Sequence, residues 1–127
     1  MLSVNRHVAL VDRKQLYNNQ IADQFITLVE RNFHAQKPVE FYAMELGLTK
    51  ELLTLGVQYH FRKSPKQILR QYLAKELMTK LSRTEIPMKD LSEQYHFQSH
   101  SQFTRFIKMM TGLTPTRYRA IKCFDQQ

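Results

Sequence analysis

The sequence predicts an all-α fold of about seven helices, arranged as two small lobes joined by a long linker helix. Three observations predict it. The 127 residues hold only 3 Gly and 4 Pro, with no Asn-Gly or Asp-Gly pair to make a hairpin turn. Apolar residues recur at i, i+3, i+4 spacings, the period of a helix with one buried face. The chain also repeats itself at an offset of about 50 residues.

The elements follow in order. Residues 1–18 are mixed and weakly periodic, and read as an arm or linker remnant. From about Asn19 to His34, the residues Ile21, Phe25, Leu28, Val29 and Phe33 form one apolar stripe. Pro38 punctuates the chain. A short helix, about Val39–Leu46, stops at Gly47, and Thr49 is a good N-cap for the next, about Lys50–Phe61. Ser64-Pro65-Lys66-Gln67 is an S-x-x-Q capping box with proline at the first helical position. The helix it opens runs to about Leu81 and spans ~26 Å at the helical rise. Arg83–Pro87 breaks it. A short helix, about Met88–Tyr95, precedes a turn. Ser99 and Gln102 form a second capping box, opening a helix to about Met110. Gly112 stops that helix, and Thr114-Pro115 opens the last, to about Cys123. The domain that results is 19–127. Its first lobe is about 19–63, its linker helix about 64–82 and its second lobe about 83–124.

Charge divides the chain. Residues 1–60 carry six basic and six acidic side chains, whereas residues 61–127 carry thirteen and five. The whole net charge of +8 therefore lies in the second half, which suits a polyanionic partner. No apolar run approaches the ~18 residues of a membrane span, and the N-terminus has no secretory pattern. A single cysteine, Cys123, makes neither an internal disulfide nor a cysteine metal site, and fits a reducing, cytoplasmic setting.

The repeat is the strongest signal. At an offset of 50, Thr49 falls on Ser99, Leu53 on Phe103, Val57 on Ile107, Ser64 on Thr114 and Pro65 on Pro115. Upstream the offset is 49: Val39 falls on Met88, Tyr42 on Leu91, Ala43 on Ser92 and Leu48 on Phe97. The extra residue, Gln98, falls in a turn. Each copy is a short helix with a small residue (Ala43, Ser92), a turn (Gly47, His96), an apolar plug (Leu48, Phe97) and a longer capped helix. This is the helix-turn-helix arrangement, whose second helix can enter a DNA major groove.

With these residues in place, the chain resembles the DNA-binding domain of the AraC/XylS family of bacterial transcription regulators. The most specific match is Phe97, Phe103 and Ile107, followed by Gly112-Leu113-Thr114-Pro115-Thr116-Arg117-Tyr118-Arg119, similar to the family's G-x-T-P-x-x-Y-R ending. The first copy, Phe41–Val57 with Ser64-Pro65, is also similar, and the resemblance covers roughly residues 25–120. It implies two helix-turn-helix lobes that bind successive major grooves on one DNA face. It also implies a sensor or dimerisation domain elsewhere if the chain is a fragment. Departures are His96 and Arg62 where the family usually has Gly, Ser92 for Ala, Leu73 and Leu55 where Arg is frequent, and Gly56, which weakens its helix by roughly 1 kcal/mol.

Candidate DNA contacts follow from helix periodicity. On the second recognition helix His100, Ser101, Gln102 and Arg105 are candidates to read bases, with Arg105 foremost because its planar fork matches G O6 and N7. On the first, Glu51, Thr54, Leu55 and Gln58 are candidates: Glu51 can accept from a cytosine amino group, and Leu55 can meet a thymine methyl. Thr49, Lys50, Ser99, Lys108, Arg117 and Arg119 suit phosphate contacts. Arg119 has a competing reading as a structural ion-pair residue.

Other chemistry finds little support. His96 and His100 are four apart, but a turn intervenes and no third ligand is near, so no metal site is expected. No nucleophile elbow, phosphate-cradling Gly loop or paired-carboxylate signature occurs, and neither catalytic residues nor a cofactor are expected. Function thus reads as sequence-specific binding of double-stranded DNA and transcription regulation, with no enzymatic activity. RNA polymerase is a further candidate partner, and a membrane is not. The alternative is a helical protein-interaction adaptor that binds RNA polymerase or another regulator. A basic module for RNA or a membrane surface is a second rival.

Overall fold

The computed structural model describes the backbone of residues 2–125 and the side chains of Lys14 and residues 16–122. Within that range the chain is all-α. The helices are α1 (Leu2–Asn32), α2 (Val39–Glu45), α3 (Lys50–Phe61), α4 (Pro65–Arg83), α5 (Met88–Gln94), α6 (His100–Thr111) and α7 (Pro115–Asp125), with a 3-10 turn at Phe33–Ala35. α2 to α7 lie where the caps and breakers put them, within two residues. α1 does not: helical backbone begins at Leu2, so the segment read as an arm is continuous with the helix expected from Asn19. The weak apolar periodicity of that stretch gave no signal for the helix, because helical backbone can run on from a packed segment without a stripe of its own. The Cys123 side chain lies outside the described residues.

The chain forms two compact units. One holds the described residues through Asn32 together with Lys37–Leu69. The other holds Phe33–Gln36 together with the described residues from Arg70 onward. The boundary falls within α4.

In the first unit, α1 buries Ile21, Ala22, Phe25 and Val29, α2 buries Tyr42 and Ala43, and α3 buries Leu53 and Val57. Phe25 and Tyr42 meet edge to face, with ring centroids 5.4 Å apart. Gly56 is buried where α3 crosses α1: a Cβ there would stand 2.7 Å from Ile21 Cγ2. Gly56 therefore serves close helix packing on the inner side of α3.

In the second unit, Leu73, Leu77 and Leu81 of α4, Leu91 of α5, Tyr95 just after it, Phe103 and Ile107 of α6 and Tyr118 of α7 form one core. Phe33, Phe97, Phe106 and Leu113 pack against it. Full burial of a side chain such as Phe103 contributes ~1.5–3 kcal/mol, enough to fix the face that α6 turns inward.

Candidate nucleic-acid interface

The two copies share one backbone device. At the end of α2, the Leu48 amide donates to the Ala43 carbonyl at 2.9 Å and the Gly47 amide to the Met44 carbonyl at 3.1 Å. At the end of α5, Phe97 donates to Ser92 at 3.0 Å and His96 to Glu93 at 3.2 Å. Both pairs are the 6→1 and 5→2 bonds of a Schellman cap, which needs its penultimate residue in the left-handed region. Gly47 has φ 67° and His96 φ 62°. His96 thus adopts the positive φ that glycine serves in the first copy, at the cost a Cβ imposes. Pro38 and Pro87, also 49 apart, precede α2 and α5 in extended conformation.

The helices that follow start and stop alike. Thr49 Oγ1 accepts the Leu52 amide and Ser99 Oγ accepts the Gln102 amide, each at 3.1 Å. At their C-termini, Arg62 (φ 59°) and Gly112 (φ 80°) are left-handed and donate to the Gln58 and Lys108 carbonyls. The Ser64–Gln67 capping box is reciprocal, with Gln67 Oε1 accepting the Ser64 amide at 2.8 Å. The Ser99–Gln102 box forms its first half only. The Gln102 side chain instead donates its Nε2 to Gln98 Oε1 at 3.4 Å, one turn back. Ser92 is buried against α6 and its hydroxyl reaches the Ser99 carbonyl at 3.5 Å, a weak bond.

With Phe103 and Ile107 buried, the helical period leaves Ser101, Arg105 and Lys108 in one row opposite them, all exposed. Gln102 and Met109 flank that row on one side, and His100 and the half-buried Thr104 on the other. On α3 the matching row is Glu51, Leu55 and Gln58, flanked by Leu52 and Tyr59. The two rows differ in chemistry. That of α6 carries two cations and a hydroxyl, whereas that of α3 carries a carboxylate, an amide and a leucine 62% exposed. The sequence reading missed Leu52, Tyr59 and Met109, since large apolar side chains default to the core. Their register with the outward row was the signal that could have found them.

The remaining candidates divide. Arg117 is exposed on the first turn of α7, where its amide donates to Thr114 Oγ1 at 3.3 Å. Thr54 is half-buried and its hydroxyl donates to the Lys50 carbonyl at 2.8 Å, so its proton is already engaged. Lys50 pairs with Glu40 at 3.0 Å. A backbone amide and that ammonium hold the Glu40 carboxyl below its ordinary value. Any phosphate contact by Lys50 competes with this pair. Arg119 is the least available: it is half-buried, and its Nε donates to the Leu81 carbonyl at 3.0 Å in the last turn of α4. There it satisfies an orphan carbonyl and faces the negative end of a helix dipole. Its partner here is a backbone carbonyl, not the carboxylate of the ion pair expected from the sequence.

Among the described residues, no three of His, Cys, Asp and Glu stand together as a metal site. No helix in that range is long and apolar enough to cross a membrane.

Residues 42–121 match the family model described as "Helix-turn-helix domain". No curated protein matches the chain in sequence. Among solved structures, the chain is similar to the C-terminal domain of AraT, a response regulator from Geobacillus stearothermophilus. That match has TM-score 0.75 at 19% identity, over 80% of this chain and 84% of that one. It is similar to a transcriptional regulator with an AraC-type DNA-binding domain from Chromobacterium violaceum, with TM-score 0.72 at 15% identity over 82% and 93%. It is also similar to the DNA-binding domain of AdpA, a global transcriptional factor solved with a target DNA, with TM-score 0.71 at 16% identity over 79% and 90%.

Proposed function

This chain belongs to the helix-turn-helix domain family, and from that premise we propose that it binds double-stranded DNA sequence-selectively as a bacterial transcription regulator of the AraC type. The observation that carries the reading is the doubled device: two Schellman turns 49 residues apart, each launching a capped helix with a solvent-facing row of side chains. In this reading each recognition helix enters a major groove, and the two grooves are successive. Arg105, with Ser101, His100 and Gln102 beside it, reads bases. Glu51, Leu55, Gln58 and, more weakly, Thr54 read the other segment. Ser99, Thr49, Lys50, Lys108 and Arg117 contact phosphates, and Arg119 braces α7 to α4. The regulator works in the cytoplasm, without enzymatic activity; RNA polymerase is its further candidate partner, and a sensor or dimerisation domain lies elsewhere if the chain is a fragment.

Gel shift with duplex selected from random DNA, at rising salt and against a scrambled duplex, tests this. If about six phosphates are neutralised, affinity falls by ~10³ between 50 and 200 mM salt. Salt-independent binding, or equal binding to the scrambled duplex, refutes it.

One observation favours a second reading for α3. Leu55, Leu52 and Tyr59 lie along its solvent side, and the residues up to His60 carry no net charge. An apolar row of this kind suits a protein partner as well as thymine methyls. Replacing Leu52, Leu55 and Tyr59 with Ser tests it: undiminished DNA binding takes this row out of the DNA interface, and a clear loss of affinity overturns the second reading.

A further inference from the structure

The connector between α1 and α2 sits in a unit other than the one that flanks it in sequence. Phe33–Gln36 belongs with the second unit, although α1 before it and Lys37 after it belong with the first. Two contacts fix it there. Phe33 packs on the core that Leu73, Leu77 and Leu81 share, with its ring 5.9 Å from that of Tyr72. Gln36 Nε2 donates to the Tyr95 carbonyl at 2.6 Å.

That carbonyl is at the C-cap of α5, immediately before His96. It is one of the last carbonyls of a helix, which no amide of the same helix can serve. The residue after it is the one held left-handed against its own Cβ. The two turns therefore differ in two linked ways. The first uses glycine, which reaches a positive φ without cost. The second uses histidine, and a side-chain amide from a distant segment grips the preceding peptide. Gln36 is itself left-handed, with φ 53°. A non-glycine residue keeps such a conformation only where its surroundings fix it, and here its amide donates to the Phe33 carbonyl at 3.2 Å while its side chain holds the Tyr95 carbonyl.

We propose that Gln36 is a positioning residue for the second recognition helix. Its amide orients the Tyr95–His96 peptide, which sustains the strained turn and so fixes where α6 begins at Ser99. The DNA part of its consequence rests on the function proposed above.

The test uses the full chain carrying Gln36→Glu, which swaps donor for acceptor at equal length, or Gln36→Ala. Each is made alone and with His96→Gly. Amide hydrogen exchange is read at His96 and Phe97, with Gly47 and Leu48 as the internal control, and affinity is read on selected and scrambled duplexes. Either single variant should speed exchange at His96 and Phe97 about fivefold, the loss of one hydrogen bond, and leave Gly47 and Leu48 unchanged. Affinity for the selected duplex should drop by about the same factor, with the scrambled duplex little affected. Adding His96→Gly should return both to within about twofold of the parent, because glycine removes the strain. Unchanged exchange at His96 and Phe97, equal acceleration in both turns, or no rescue by His96→Gly overturns the proposal. The expected exchange pattern from a chain that binds no duplex upholds the grip on the turn and overturns the DNA reading.

Discussion

Gly56 of α3 lies directly against Ile21 of α1: a Cβ at 56 would be 2.7 Å from Ile21 Cγ2 and 2.9 Å from its Cβ. The branched carbon of Ile21 cannot swing away as the end of a long side chain would. Gly56→Ala gains ~1 kcal/mol of helix propensity and meets an overpacking cost of ~1–3 kcal/mol. The expected outcome is a net loss of about 1 kcal/mol in chemical denaturation. Ile21→Ala should relieve it, so that the double variant loses less than the sum of the singles.

Tyr42 is fully buried and its hydroxyl has no hydrogen-bond partner. Tyr42→Phe should therefore leave stability unchanged or raise it by up to ~1 kcal/mol, since the hydroxyl is desolvated without return. Burial also pushes the Tyr42 phenol up to about 12, and burial together with Glu76 does the same to Tyr95. A phenol raised in the fold retains its proton after the unfolded chain has lost it. Its stabilising share is whole below pH ~10 and is lost as pH climbs toward 12. Stability measured across that window should fall less steeply for Tyr42→Phe than for the parent.

Arg119 and Arg105 should separate cleanly. Arg119→Ala removes a charged donor from the Leu81 carbonyl and should cost ~1–2 kcal/mol of stability. Arg119→Lys should not restore it, since an ammonium on a flexible stem does not reproduce the fixed Nε–H direction. Arg105 is exposed on the outward row of α6, and Arg105→Ala should change stability by less than ~0.5 kcal/mol. Thermal melts of the three variants decide it.

Much of this was legible before the fold was known, and unevenly so. Caps and breakers fix helix ends by local chemistry, so Thr49, Ser64, Ser99, Gly47, Gly112 and the prolines located α2 to α7. The α1 extension was not legible, because its apolar residues follow no stripe. The outward row of α6 followed from periodicity once Phe103 and Ile107 were inside. Arg119 was only half legible: spacing cannot say that its guanidinium meets a carbonyl 38 residues earlier in the chain. Gly56 read as a weak point in a helix, because the partner that needs its missing Cβ lies 35 residues upstream at Ile21. The grip of Gln36 on Tyr95 had no sequence signal at all, since a glutamine after a 3-10 turn is ordinary surface chemistry.

The most direct test of the central claim compares Arg105→Ala and Leu55→Ala on a panel of single-base changes within a selected duplex. A fork donor on guanine discriminates by roughly 1–3 kcal/mol, whereas leucine offers a thymine methyl only an apolar contact. Arg105→Ala should therefore weaken binding to the best duplex ~10-fold or more and flatten the preference at about one base pair. Leu55→Ala should leave the panel's ranking nearly unchanged. If Leu55→Ala or Thr54→Ala erases more discrimination than Arg105→Ala does, α6 is not the principal reader and the account is contradicted.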